Sequence, residues 1–240
     1  MAATEQVFAE DAYARACEAR VTHAAPGAIQ LDRTVFYAAG GGQPGDSGIL
    51  KLADGAEIEV MNTVKGEGAG EILHLTAEDA ALPANGSAVT AEIDWARRHK
   101  LMRMHTCLHL LCAVIEAPVT GGQLSEEKGR LDFDLPELSL DKGEIEARLD
   151  QLIARDAPTG TRWISDADLA AQPDLVRTMK VKPPSGQGRV RLLDIEDIDL
   201  QPCGGTHIKS TAEIGAVTVR KIENKGKHNR RVNITFKEPA

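Results

Sequence analysis

Aromatic residues are nearly missing from this 240-residue sequence: Phe, Tyr and Trp together make 3% of it. Leu, Val, Ile and Ala must therefore fill the interior of a chain long enough for a sizeable core. Cysteine is sparse too. Cys17, Cys107, Cys112 and Cys203 follow no regular spacing, which argues against a disulfide scaffold and for a reducing compartment, the cytoplasm. No run approaches the roughly 18 apolar residues of a membrane span, so no membrane is expected. The acid-bearing opening MAATEQVFAEDAYARA has no apolar targeting core. Positive charge is in deficit: a net charge of −8 keeps the protein soluble and excludes a general nucleic-acid coat. It leaves room for a local basic surface. HExxH is missing, since Thr106 follows His105, and so is the GxSxG of a serine hydrolase.

The first ninety or so residues read as β. Short, partly alternating runs at 17–24, 29–37, 56–61, 71–75 and 87–93 are separated by turn-rich stretches at 40–48, 65–70 and 83–86. Such spacing predicts a small barrel or sandwich. From Trp95 to about Glu116, Gly and Pro are absent. Met104, Leu108, Leu111 and Ile115 recur there at helical spacing, between an N-cap at Asp94 and a stop at Pro118. Further helices are expected at 143–157 and at 166–171 behind Ser165. Strands are expected at 129–133, 174–181, 188–194, 214–222 and 231–236. The expected fold is α+β. A small N-terminal β-barrel with a glycine-rich loop covers residues 1–92, and an α/β two-layer domain covers 93–240, its long helix against antiparallel sheet.

His105 and His109 stand four apart, which puts both imidazoles on one helix face about one turn apart. QPCGGTHI adds Cys203 and His207, with glycines between them that permit a tight turn. A lone i,i+4 histidine pair is more often surface or core decoration than a ligand set, and a lone CxxxH is weak. Together, three imidazoles and one thiolate make a borderline-soft set that suits one Zn²⁺ per chain. Cys107 and Cys112 point to other faces of the helix and read as core packing, and Thr106 also reads as facing the core. Gly40 to Gly45 reads as a wide hairpin turn without the GK[ST] of a phosphate loop. Basic residues cluster twice: Arg97, Arg98, Lys100 and Arg103 at the start of the helix, and Arg220, Lys221, Lys225, Lys227, Arg230 and Arg231 near the end. A charge run is most often a solvated face. Beside the metal motifs it equally fits phosphate contact that positions RNA without reading its sequence, with Arg97, Arg98, Arg103, Arg230 and Arg231 as candidates.

HTCLH followed by QPCGGTH resembles the HxxxH and CxxxH pair of the alanyl-tRNA editing domain, found inside alanyl-tRNA synthetase and in freestanding editing proteins of the AlaX type. LDRTVFYAAGGGQPGDSG at 31–48 resembles the glycine-rich segment that those proteins carry in a preceding β-barrel. RLDFD at 130–134 and the stretch from EIGAVTVRKIENKGKHNRRV onward are weaker matches. The resemblance covers about residues 10–237. With no aminoacylation domain before the barrel and no long C-terminal domain after the last strand, the middle-sized freestanding form acting in trans is expected. The resemblance implies a zinc-dependent aminoacyl-tRNA deacylase in which His105, His109, Cys203 and His207 hold the metal and form the catalytic set. Its implied partner is the acceptor end of tRNA(Ala) bearing serine, or glycine, as a wrongly attached ester; no obligate protein partner is expected. The glycine-rich loop would lean over the pocket with Gln43 and Asp46 as polar contacts, and Gln123 would form a second wall. The residues leave open whether zinc acidifies a water or fixes the substrate's amino group. A non-catalytic RNA-binding or adaptor module with a structural zinc fits the same four ligands.

Overall fold

Alternation of apolar and polar residues builds the strands of the N-terminal half. In Ala88–Ile93, Val89, Ala91 and Ile93 turn inward while Thr90 and Glu92 face outward, and Glu57–Val60 does the same with Ile58 and Val60. In the computed structural model, which describes residues 3–135, 140–178 and 188–237, the chain divides into two units, Met1–His99 and Lys100–Ala240. In the first unit seven strands pair antiparallel in the order Glu57–Val60, Gly48–Leu52, Ala88–Ile93, Ala16–Ala25, Ala28–Leu31, Ile72–Leu75, Asn62–Lys65. The two end strands are consecutive in the chain, with Met61 alone between them, so one run of backbone borders both ends of the sheet. Ile29, Leu31, Val35, Phe36, Leu50 and Val60 fill the core beneath it.

A histidine lies among the buried polar groups of that unit. The His74 ring is fully buried, edge-on to Phe36; its Nδ1 lies 3.0 Å from the Ile29 carbonyl and its Nε2 2.8 Å from Thr34 Oγ1. Thr34 Oγ1 also accepts from Phe36 N, so a neutral ring with Nδ1–H satisfies every partner. Burial drives His74 from its ordinary 6.5 down to about 4, opposed by the Ile29 carbonyl. The unfolded chain therefore takes up a proton near pH 6.5 that the fold refuses until about pH 4. Stability from this site is complete above pH 6.5 and falls by about 3 kcal/mol as pH drops through that window. The gap in denaturation midpoint between wild type and His74→Gln should narrow between pH 7 and pH 4.5. Parallel pH profiles would show that His74 is not the group responsible.

The long helix spans Trp95–Val114. Asp94 caps it as expected, its Oδ1 accepting from Arg97 N at 3.1 Å. The division between the units falls within this helix, between His99 and Lys100. Its first turn is held to the first unit: the fully buried Arg98 donates through Nε to both carboxylate oxygens of Asp46, and through Nη1 and Nη2 to the Ala12 and Val35 carbonyls. From Leu101 onward the helix has no solvent-exposed face, being buried on nearly every side.

In the second unit an antiparallel sheet runs in the order Val119–Leu124, Lys128–Asp134, Asn229–Phe236, Val217–Asn224. It lies close on the long helix at Gly129, where a Cβ would meet Met104 Sδ at 2.8 Å and Leu108 Cδ2 at 3.1 Å. A second sheet runs in the order Thr159–Ser165, Arg189–Ile195, Asp199–Pro202. Helix Lys142–Ala154 is capped by Asp141, and Asp166–Ala170 opens on a Ser165/Asp168 capping box. The architecture is thus mixed α+β with antiparallel sheets and, among the described residues, four α-helices. The strand expected at 174–181 is replaced by a 3₁₀ turn, Pro173–Leu175, and an isolated bridge from Thr178 to Val119; residues 179–181 lie outside the described ones.

Candidate metal centre

His105 and His109 lie one turn apart on the buried helix, and Cys203 and His207 follow strand Asp199–Pro202. Their donor atoms all lie within 4.8 Å of one another. Cys203 Sγ is 3.2 Å from His207 Nε2 and 3.6 Å from His105 Nε2. Zinc bonds of about 2.0–2.1 Å to nitrogen and about 2.3 Å to sulfur give tetrahedral edges of about 3.3–3.6 Å. The donor set fits zinc in chemistry, and the two Cys203 contacts are close to those edges.

What aims the imidazoles is a layer of polar groups behind them. Thr106 Oγ1 lies 3.1 Å from His207 Nδ1, so this residue serves the centre as well as being buried. Asp199 Oδ2 lies 3.1 Å from His109 Nδ1 and accepts from Gln201 Nε2 at 2.6 Å. Engaging Nδ1 leaves Nε2 for a metal and fixes the plane of the ring. Asp199 Oδ1 makes no hydrogen bond and stands 3.7 Å from Arg177 Nη2. Arg191 Nη1 donates to the Gly205 carbonyl at 2.6 Å, bracing the loop between Cys203 and His207. None of these supports is legible in either ligand motif, apart from Thr106 by adjacency.

The charges follow from the packing. Burial raises the Cys203 thiol, but His105, His207 and His109 outweigh it and hold the group well below its ordinary 9.0. Burial, aided by the neighbouring His105 and His109, takes His207 down to about 3 against the pull of Cys203. Burial also lowers His109, yet Cys203 and then Asp199 carry it up to about 10. The protein's own groups thus favour the thiolate form of Cys203, the form in which these residues would hold a metal. Burial pushes the Cys107 and Cys112 thiols up to about 12, in keeping with inert core residues.

Other sequence candidates have different surroundings. Asp46 is buried and spent on Arg98 and on Tyr37 N, which donates to its Oδ2 at 2.6 Å. Asp46, expected as a pocket contact, and Arg98, expected as an RNA contact, are thus paired with each other inside the first unit. Arg97 Nη1 holds the Gly45 carbonyl at 2.6 Å. Arg103 donates to the Ile214 carbonyl at 2.7 Å and stacks over Phe236, so it braces the second unit internally. Arg231 forms two bonds to Asp132, at 2.7 and 2.8 Å, and Arg230 Nη1 reaches the Gly226 and Asn229 carbonyls. Gln43 is buried in a turn closed by a Gly40–Gln43 bridge. The run Gly40 to Gly45 has the spacing GxGxxG, but strand Gly48–Leu52 follows it where a dinucleotide site needs a helix. Gln123 is exposed, and its Oε1 accepts from Arg130 Nη2 at 3.1 Å.

Residues 190–233 match the family described as threonyl and alanyl tRNA synthetase second additional domain, and residues 3–97 match class II (A) tRNA synthetases. Similar proteins include the alanyl-tRNA editing protein AlaX-M of Methanosarcina acetivorans, 38% identical over 97% of this chain and 99% of its own. The AlaX-M of Saccharolobus solfataricus is 34% identical over 98% and 99% of the two chains. The alanine–tRNA ligase of Pyrobaculum calidifontis is 34% identical over 92% of this chain but only 25% of its own.

Proposed function

The chain belongs to the AlaX-M alanyl-tRNA editing proteins, and from that membership we propose that it hydrolyses mischarged tRNA(Ala) in trans, with seryl-tRNA(Ala) as main substrate and glycyl-tRNA(Ala) as a second. The observation that carries this reading is the convergence of His105, His109, Cys203 and His207 on one point, with Thr106 and Asp199 turning two of the rings toward it. These four residues would hold one zinc ion. When bound, the ion supplies Lewis-acid charge, for acidifying a water or for fixing the substrate's amino group. The need for such an enzyme follows from physics: a synthetase pocket cannot strongly reject an analogue that merely adds a hydroxyl, so a second, hydrolytic site must. The proposal places the enzyme in the cytoplasm, where its cysteines stay reduced. Arg230 and Arg231, with the basic residues around them, are the proposed phosphate contacts.

Sparing the alanyl ester requires a group that gains a hydrogen bond only with serine. Gln123 is the first candidate: with its carbonyl engaged by Arg130, its NH₂ remains to donate. Gln43 is the second. Hydrolysis of seryl-, glycyl- and alanyl-tRNA compared side by side tests the function. Gln123→Leu should cut seryl-ester hydrolysis about tenfold or more, leaving zinc bound and the slow alanyl rate little changed. Equal loss on both esters would move the selectivity role elsewhere. The closed set of four protein donors favours one other reading, a structural zinc in a non-catalytic RNA-binding module. Deacylation that needs the metal would exclude it.

A further inference from the structure

Three large apolar side chains stand exposed among the described residues: Met61, Leu82 and Trp163. Trp163 has a guanidinium laid over its ring. It lies on Thr159–Ser165, the outer strand of the three-stranded sheet, directly opposite Arg191, whose carbonyl accepts from Cys203 N. Trp163, Arg191 and Cys203 therefore form one row across the sheet. Directly opposed residues share a face, so Trp163 points the same way as Arg191. Leu193 and its partner Gln201, the residue that supports Asp199, lie on that face as well. Two strand spacings put Trp163 roughly 10 Å from the metal ligand Cys203. The exposed Arg189 lays its guanidinium over the indole, 4.1 Å from the ring centroid. Arg191, between indole and ligand, braces Gly205 and reaches Thr161 Oγ1 at 3.4 Å.

An exposed ring with cationic groups beside it is what a single strand of nucleic acid uses, because every base has a π-face and the backbone is anionic. We propose, resting on the editing reading above, that Trp163 and Arg189 form a stacking platform for a base of the unpaired 3′ end of the tRNA. The strand would be held so that the ester on its terminal ribose meets the His/Cys centre. The distance from a base to an ester on its own or the next ribose is of the order that separates Trp163 from Cys203. Contacts of this kind tolerate any base, so they would add affinity and position without choosing the amino acid.

Trp95→Phe leaves Trp163 as the only indole in the full-length protein. Its fluorescence should be quenched by uncharged tRNA with an intact 3′ end and not by the same tRNA lacking its three terminal nucleotides. In kinetics, Trp163→Ala should raise KM for the mischarged tRNA roughly tenfold with zinc content unchanged. Trp163→Phe should restore most of the loss and Trp163→Leu little of it. Equal quenching by trimmed tRNA, an unchanged KM in Trp163→Ala, or full rescue by Leu would each overturn the platform. A wild-type protein that hydrolyses no mischarged ester would instead overturn the editing reading, while the titration with uncharged tRNA still decides the platform on its own.

Discussion

The His105→Ala and His109→Ala proteins are expected to lose bound zinc and to deacylate no seryl-tRNA(Ala). Structural zinc sites bind with about 10–16 kcal/mol shared over four ligands, so one ligand accounts for roughly 3 kcal/mol, or about a hundredfold in affinity. Here the loss should be at least that large. In His105→Ala the two remaining imidazoles, His207 and His109, are held in place by Thr106 and Asp199 and cannot swing to close the gap. Asp199→Asn keeps the volume but removes the charge behind His109, and should weaken metal binding by a smaller factor, about tenfold. Metal analysis of protein purified without chelator, followed by chelator competition, orders the three variants. Far-UV circular dichroism separates loss of metal from loss of the helix. A wild-type protein with no transition metal would sink the zinc site, and a metal-free pocket of the same residues would have to replace it.

Arg98→Met should destabilise the first unit by about 3–5 kcal/mol, because it strands the buried Asp46 carboxylate without its partner. Asp46 would keep only the donation from Tyr37 N. Adding Asp46→Asn to Arg98→Met removes the orphaned charge and should recover part of the loss. That recovery is the sign of an ion pair rather than of simple packing. Denaturant unfolding of the two single variants and the double variant measures it. If Arg98 instead met RNA, Arg98→Met would leave stability near wild type and flatten the salt dependence of tRNA binding, an outcome that its burial argues against.

The residues that stayed hidden in the sequence are those whose partners lie far along the chain. The candidate metal-binding group could be read because each half of the set is local, HTCLH on a helix and CGGTH on a loop. The long helix could be read from its Asp94 cap and its freedom from Gly and Pro. Arg97, Arg98 and Arg103 look like one basic patch in sequence, yet their partners are Gly45, Asp46 and Ile214, none of them near in the chain. Asp199 likewise shows its purpose only when strand Asp199–Pro202 comes up against the helix. Several strands were unreadable for reasons of composition. Val119–Leu124 carries two glycines, Thr159–Ser165 is an exposed outer strand of mostly polar residues, and Asp199–Pro202 is short and ends in proline. Pairing partners rather than propensity hold these segments extended.

The first unit owns the opening turn of a helix whose remainder belongs to the second, and this limits how the chain can be taken apart. Composition invites a cut near residue 92. A fragment ending there would keep the Asp46 carboxylate while its guanidinium partner went with the other piece, and Gly45 would lose Arg97 in the same stroke. The smallest self-sufficient N-terminal fragment therefore runs to His99 or beyond. The glycine-rich segment and the start of the long helix form one inheritable module, so grafting or shuffling of this region has to carry residues 37–48 and 94–99 together.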